Sequence, residues 1–167
     1  PLSQERAQNY LAWYDQYQAS YLKKYPAHKL SYIVFLLGLN QTQLAQQELN
    51  KLMLLDDGSA DVTTVETLPS HFLLYTKASV AWQFGQLKAA TELLKQRYQL
   101  APDQNHFVMP YLVALIQQNQ QKQALTLFNK HFPNIVSLKS PIETQLGQYL
   151  LLASLYKHTK QHAKYQN

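Results

Sequence analysis

Gly85, Leu87, Ala90 and Leu94 are followed 34 positions later by Asn119, Gln121, Ala124 and Phe128. A turn former, a small residue and a large apolar residue thus recur at one fixed offset. A period of about 34 residues marks stacked helical hairpins, each too small to bury its apolar face without a neighbour. Proteins of this build present a surface, in contrast to a single globular core with an active-site cleft.

The rest of the chain reads as helix around that pair of hairpins. Ala7, Tyr10, Leu11, Tyr14, Tyr17, Tyr21, Leu22 and Tyr25 fall at three- and four-residue steps and form one wide apolar-aromatic face. Pro26 is expected to end that helix. Leu30 to Leu39 and Gln43 to Leu55 form a hairpin around Asn40, a residue type that tolerates the left-handed backbone of a tight helix–helix turn. Asp56, Asp57, Gly58, Ser59 and Asp61, followed by β-branched Val62 to Val65, break the pattern and mark a repeat boundary. Pro69 and Ser70 suit a helix start, with helices expected over about 70–84 and 86–100. Asp103 or Asn105 is placed to cap the next helix, and Pro110 predicts a late start or a slight kink in it. Gln120 to Phe132 returns across Asn119, Pro133 to Pro141 reads as a linker, and Ile142 to Tyr156 as a further helix. The last residues look like the opening of a partner helix.

Composition narrows the chemistry. A chain of 167 residues buries roughly 70% of the surface exposed on unfolding and needs no staple. With no cysteine, disulfides, thiol catalysis and thiolate zinc sites are excluded. The four glycines, Gly38, Gly58, Gly85 and Gly147, are scattered, which argues against a P-loop or a dinucleotide turn. Glutamines such as Gln117, Gln118, Gln120, Gln121 and Gln123 read as a solvated helix surface. The net charge of +5 raises nucleic-acid binding, but the lysines are dispersed along the chain, and even a group such as Lys157, Lys160 and Lys164 is loose. A phosphate-binding face concentrates its cations into a stripe, so no nucleic-acid partner is expected. The longest apolar run, Tyr32 to Leu39, falls short of the ~20 residues that span a bilayer. The chain begins at Pro1 instead of methionine, which reads as a processed or excised piece of a longer protein.

The repeat resembles the tetratricopeptide repeat family. Over Ser70–Gln104 the matching residues are Ala78, Gly85, Leu87, Ala90, Leu94, Leu100 and Pro102. The next unit keeps Asn119, Ala124 and Phe128 but has Leu112 in place of a small residue, and its terminal proline comes early at Pro133. Leu152, Ala153, Leu155 and Tyr156 resemble a further first helix, with Lys160 at the turn, and the Asn40 hairpin with Ala45 and Leu49 is a weaker match. The resemblance implies an all-α superhelix of α–α hairpins, a solenoid of about eight or nine helices; another α–α hairpin array is the competing architecture. The expected organisation is an N-terminal helix over 1–27, a degenerate hairpin and loop over 28–68, the best repeat over 69–104, a second over 105–140 and a partial one over 141–167.

In this family the first helix of each repeat lines a concave groove. Carried over, that makes Phe72, Tyr75, Ser79, Trp82 and Gln83 groove-facing, followed by His106, Met109, Val113, Ile116 and Gln117. Such a groove suits an apolar or amphipathic protein segment, with Tyr75 and Trp82 as anchors and Gln83 and Gln117 bonding to backbone. These positions are neutral, unlike the lysine, arginine and asparagine set with which one subgroup grips a C-terminal carboxylate. The apolar members equally fit packing against adjacent helices, as does the tyrosine face of the first helix, and the sequence leaves both readings open.

Candidate chemistry is sparse. His158 and His162 have the four-residue spacing of a helical zinc pair, but Thr159-Lys160-Gln161 lacks the metalloprotease glutamate, and the repeat places a turn between the rings. Asp56, Asp57 and Asp61 lack the ligand order of a calcium loop. Glu48 and Glu92 have no paired carboxylate nearby in sequence, and no serine sits in a nucleophile elbow. The expectation is a non-catalytic binding or scaffold module for a protein or peptide segment, without cofactor or metal. The alternative is a ligand-sensing regulatory domain of a membrane-bound signalling protein or transcription regulator. Similar repeat domains serve as extracytoplasmic sensors of bacterial signalling proteins and in envelope lipoproteins, which favours a periplasmic over a cytoplasmic setting.

Overall fold

The structure is a computed structural model that describes residues 4–17, 26–54, 68–137 and 146–159. The described residues are all-α. Nine helices occur among them, with no strand: α1 (Gln4–Tyr17), α2 (Pro26–Gly38), α3 (Thr42–Leu54), α4 (Ser70–Gln83), α5 (Leu87–Leu100), α6 (Asn105–Gln117), α7 (Gln121–His131), α8 (Pro133–Ser137) and α9 (Leu146–Thr159). The chain divides into two compact units, residues 1–93 and 94–167, with the division falling inside α5.

Three helix–helix turns are built alike. Asn40, Gly85 and Asn119 all adopt left-handed backbone, with φ of 60°, 72° and 59°. At each, the amide of the left-handed residue donates three residues back, and the next amide donates five residues back. The second set comprises Gln41 to Leu36, Gln86 to Ala81 and Gln120 to Leu115, at 2.9, 2.9 and 2.8 Å. This pairing closes the orphan carbonyls of a helix end. The carbonyls of Gln41, Gln86 and Gln120 then accept from Ala45, Ala90 and Ala124 and so open the following helix. The three alanines are fully buried, and Leu49, Leu94 and Phe128 four residues further on are buried as well. Small and large residues thus hold the same places after each turn, the Asn40 hairpin included. On the preceding helix the equivalent buried residues are Ile33, Ala78 and Leu112. Only the middle one is small, so that slot varies.

In the first unit α2 packs against α3 and α4, and α3 also against α4. Leu30, Ile33 and Leu36 of α2, Leu49 and Leu52 of α3, and Val80 of α4 form the core. Helix α1 joins it through aromatics: Tyr14 stacks on Tyr32 with planes 8° apart, and Tyr10 lies 4.4 Å from Phe35. The tyrosine face of α1 is therefore packing surface as far as Tyr14, with Trp13 left 42% exposed beside it. Tyr17, Tyr21, Leu22 and Tyr25 fall outside the residues whose side chains are described. Pro26 is the first residue of α2, where its missing N–H costs nothing. In the second unit α7 packs against α6, α8 and α9, around Leu112, Leu115, Phe128 and Leu155.

Three local expectations are corrected. Neither Asp103 nor Asn105 caps α6: Gln104 occupies the cap position with no side-chain bond, and the Phe107 amide donates to its carbonyl. Helix α6 does not start late, because it begins at Asn105 and runs through Pro110. Pro133 opens the one-turn helix α8, with Ile135 buried, where a linker was expected. The segment with Asp56, Asp57 and Asp61 lies outside the described residues.

The passage through Pro110 has a visible cause. Proline has no N–H to offer the carbonyl four residues back, and its ring crowds that oxygen. The orphaned oxygen is that of His106, and Arg97 Nη1 donates to it at 3.4 Å. Arg97 is buried, and its guanidinium lies 3.9 Å from the centre of the Phe107 ring. One arginine thus satisfies the freed carbonyl and covers the aromatic beneath it.

Candidate functional site

Helices α4 and α6 carry the sequence-predicted binding residues, and each is described within its own unit. On α4, Phe72, Tyr75, Ser79 and Trp82 are half-buried and Gln83 is exposed. The opposite side, with Thr76, Ala78, Val80 and Ala81, is buried. Phe72 rests against the core of the first unit, which makes it as much a packing residue as a surface one. The Ser79 hydroxyl donates to the Tyr75 carbonyl at 2.8 Å, and Thr76 donates likewise to Phe72. These hydroxyls are spent on the helix's own backbone.

On α6, His106, Val113 and Gln117 are exposed while Met109 and Ile116 are half-buried. Phe107, Val108, Tyr111, Leu112, Ala114 and Leu115 fill the buried side. The His106 ring sits edge-on to Phe107 at 4.3 Å. The same five positions, 34 residues apart, thus form a partly exposed stripe on both helices. Apolar side chains at Met109, Val113 and Ile116 remain within reach of solvent, Val113 being 36% exposed.

A separate cleft of about 340 Å³ opens in the second unit, walled by α5, α6 and α7. Lys95 and Gln99 come from α5, Gln123, Leu127 and Lys130 from α7, and Tyr98 and Tyr111 from α5 and α6. The two tyrosine rings lie 5.8 Å apart with planes 26° from parallel. The Tyr98 hydroxyl shares a 3.0 Å hydrogen bond with His131 Nε2, and the His131 ring meets Tyr98 edge-on. Gln123 Nε2 donates to the Tyr111 hydroxyl at 3.3 Å. Burial, and then the neighbouring Lys130 charge, hold the His131 imidazole below its usual titration range, against an opposing pull from Asp103. His131 therefore enters this network as a neutral hydrogen-bonding group, and the positive charge at the cleft is that of its lysines.

Sequence reasoning missed this cleft. Lys95, Tyr98, Tyr111, Lys130 and His131 sit on three helices, and none had a motif to connect it to the others. One trace was visible: Gln123, Leu127 and Lys130 stand at positions i, i+4 and i+7, a single stripe of α7.

The first unit holds one further polar cluster. Glu48, buried on α3, meets Lys51 at 2.7 Å and Lys29 of α2 at 3.2 Å. Burial pushes its carboxyl up, but the hydrogen bond from Lys51 and the charge of Lys29 outweigh it and hold the group below the usual carboxylate range. Nearby, burial raises the Tyr14 hydroxyl well above its ordinary value and pushes Tyr32 up to about 12, so both stay neutral. Among the described residues the Tyr14 hydroxyl has no hydrogen-bond partner. With the Lys29–Glu48 ion pair joining α2 to α3 and the Lys51–Glu48 pair lying within α3, this cluster reads as a fastening between helices.

Among the described residues no helix is long and apolar enough to cross a membrane, and no group of three or more metal-binding side chains occurs. The side chains of His158 and His162 lie outside those residues. Comparison with protein-family models, curated proteins and solved structures finds no match. The class defined by the fold is thus an all-α chain built from helical hairpins.

Proposed function

We propose that this chain is a non-catalytic binding module, a superhelix of tetratricopeptide type whose first helices hold a segment of another protein. The observation that carries the reading is the stripe Met109, Val113 and Ile116 on α6. It stays partly exposed while the other side of the same helix is buried. Burying such side chains in a partner stabilises a complex by roughly 25 cal/mol per Å² of apolar surface removed from water, before the costs of association. Tyr75 and Trp82 on α4 supply the aromatic anchors of the equivalent stripe, and Gln83 and Gln117 supply amides for a bound backbone.

Panning a displayed random-peptide library against the chain tests this. Enriched peptides should lose binding to Val113→Asp, a position 36% exposed, with a circular dichroism melt checking that the variant keeps its fold. A Tyr75→Ala/Trp82→Ala pair should do the same for peptides using α4. Failure to enrich any peptide, or enriched peptides indifferent to both variants, would refute the reading. A large loss of stability in the α4 pair would instead show those two aromatics to be core.

A further inference from the structure

The α5–α6–α7 cleft lies on a different side of α6 from the Met109–Val113–Ile116 stripe, because Tyr111 reaches it from the buried side of that helix. We propose that this cleft is a second binding site, one that takes an acidic segment of a partner protein.

Three observations support that occupant. First, Lys95 and Lys130 both line the cleft and no acidic residue does, among the described residues. Nearby Asp103 exerts its charge on His131 without forming part of the lining. Two cations sharing one concavity favour carboxylates there and repel basic segments. Second, the remaining lining combines amides and apolar surface. Gln99 offers a side-chain amide suited to a peptide backbone, and Gln123, whose nitrogen donates to the Tyr111 hydroxyl, adds its amide oxygen, while Leu127 and the Tyr111 ring give apolar contact for an aliphatic stem. Third, a volume of about 340 Å³ lies at the low end of ligand pockets, which run from roughly 300 to 1,000 Å³. It accommodates a few side chains of a segment that continues beyond the cleft.

The same lining disfavours nucleic acid. Phosphate recognition displaces counterions with a stripe of cations, and among the described residues this cleft brings two lysines and no arginine to its lining. The inference is independent of the α4 and α6 stripes and stands or falls separately.

The test is fluorescence anisotropy with a short labelled peptide rich in Asp and Glu around a central Leu–Phe pair. The peptide should bind, and added salt should weaken it as charges become screened. Lys130→Glu and Lys95→Glu should each weaken binding by roughly tenfold or more. Lys122→Glu, on the same helix but outside the cleft, should change it by less than about twofold. Lys130→Gln should fall between wild type and Lys130→Glu. Val113→Asp should leave this binding intact, which separates the cleft from the stripe on α6. Equal losses from Lys122→Glu and Lys130→Glu would overturn the proposal by showing diffuse attraction to the net positive chain. Competition by free glutamate or citrate as effective as the peptide would overturn it in favour of a small-anion site. A short oligonucleotide that binds with the same lysine dependence would overturn it as well.

Discussion

Replacing Gly85 isolates the energy of one backbone conformation. Its φ is +72°, yet a Cβ added there would meet nothing within 4 Å. A side chain at this point therefore pays for its own left-handed backbone and not for a clash with neighbours. That conformation costs an L-residue roughly 1–2 kcal/mol. Replacing glycine also removes freedom from the unfolded chain, which returns about 0.4–1 kcal/mol. Gly85→Ala is thus expected to destabilise by about 1 kcal/mol, and Gly85→Val by about 2 kcal/mol because a branched Cβ fits the region worst. At roughly 2–4 °C per kcal/mol for a chain of this size, the melting temperature should fall by about 3 °C and about 6 °C. Gly85→Asn should stay close to wild type, since Asn40 and Asn119 already occupy the same conformation with φ of 60° and 59°. Gly38 provides the control: it ends α2 outside the left-handed region and also has open space around it. Gly38→Ala should hold or raise stability by up to about 1 kcal/mol. Circular dichroism melts, paired with urea titrations, read all four variants. A valine variant that melts like wild type, or an asparagine variant as damaged as the valine, would refute the account of the turn.

The remaining predictions concern the second unit. Arg97→Met should cost about 1–3 kcal/mol by leaving the His106 carbonyl without a donor. In a Pro110→Ala background the helix supplies its own N–H, so the same change should cost less; strictly additive urea stabilities would exclude the coupling. His131 predicts a pH effect. Its folded pKa is lowered, so the unfolded chain binds the extra proton first, and stability present above the ordinary histidine range is lost as pH falls through the lowered value. The difference in stability between wild type and His131→Gln, followed by denaturant titration from neutral pH downward, should show that loss on the wild-type side. A difference that stays flat, or a wild type that gains on acidification, would contradict it.

The hairpins could be read from the chain because their cause is local. Asn40, Gly85 and Asn119 are residue types that accept positive φ, and Ala45, Ala90 and Ala124 follow each by five positions. Helix bounds followed to within a few residues for α2 to α5 and for α7. The start of α6 did not follow, because whether Pro110 is tolerated depends on Arg97, thirteen positions earlier, reaching the His106 oxygen. Helix α8 was hidden for a similar reason: five residues opened by proline read as a linker, yet Ile135 is buried and α8 packs on α7.

The candidate sites divide in the same way. The stripes on α4 and α6 were expected from the resemblance to the tetratricopeptide repeat family, which places Tyr75 and Ser79, and Met109 and Val113, on the first helix of a repeat. How much of each stayed exposed was not, and Phe72 turned out to lean on the core. The sequence by itself determined the all-α class, three left-handed turns and the small and large residues behind them, since these follow from backbone sterics and side-chain volume over a few residues. Tertiary structure alone decided what α5, α6 and α7 bring together. Tyr98 meets His131 and Lys95 shares a cleft with Lys130 only once three helices pack, and no local spacing encodes a contact between side chains more than thirty residues apart.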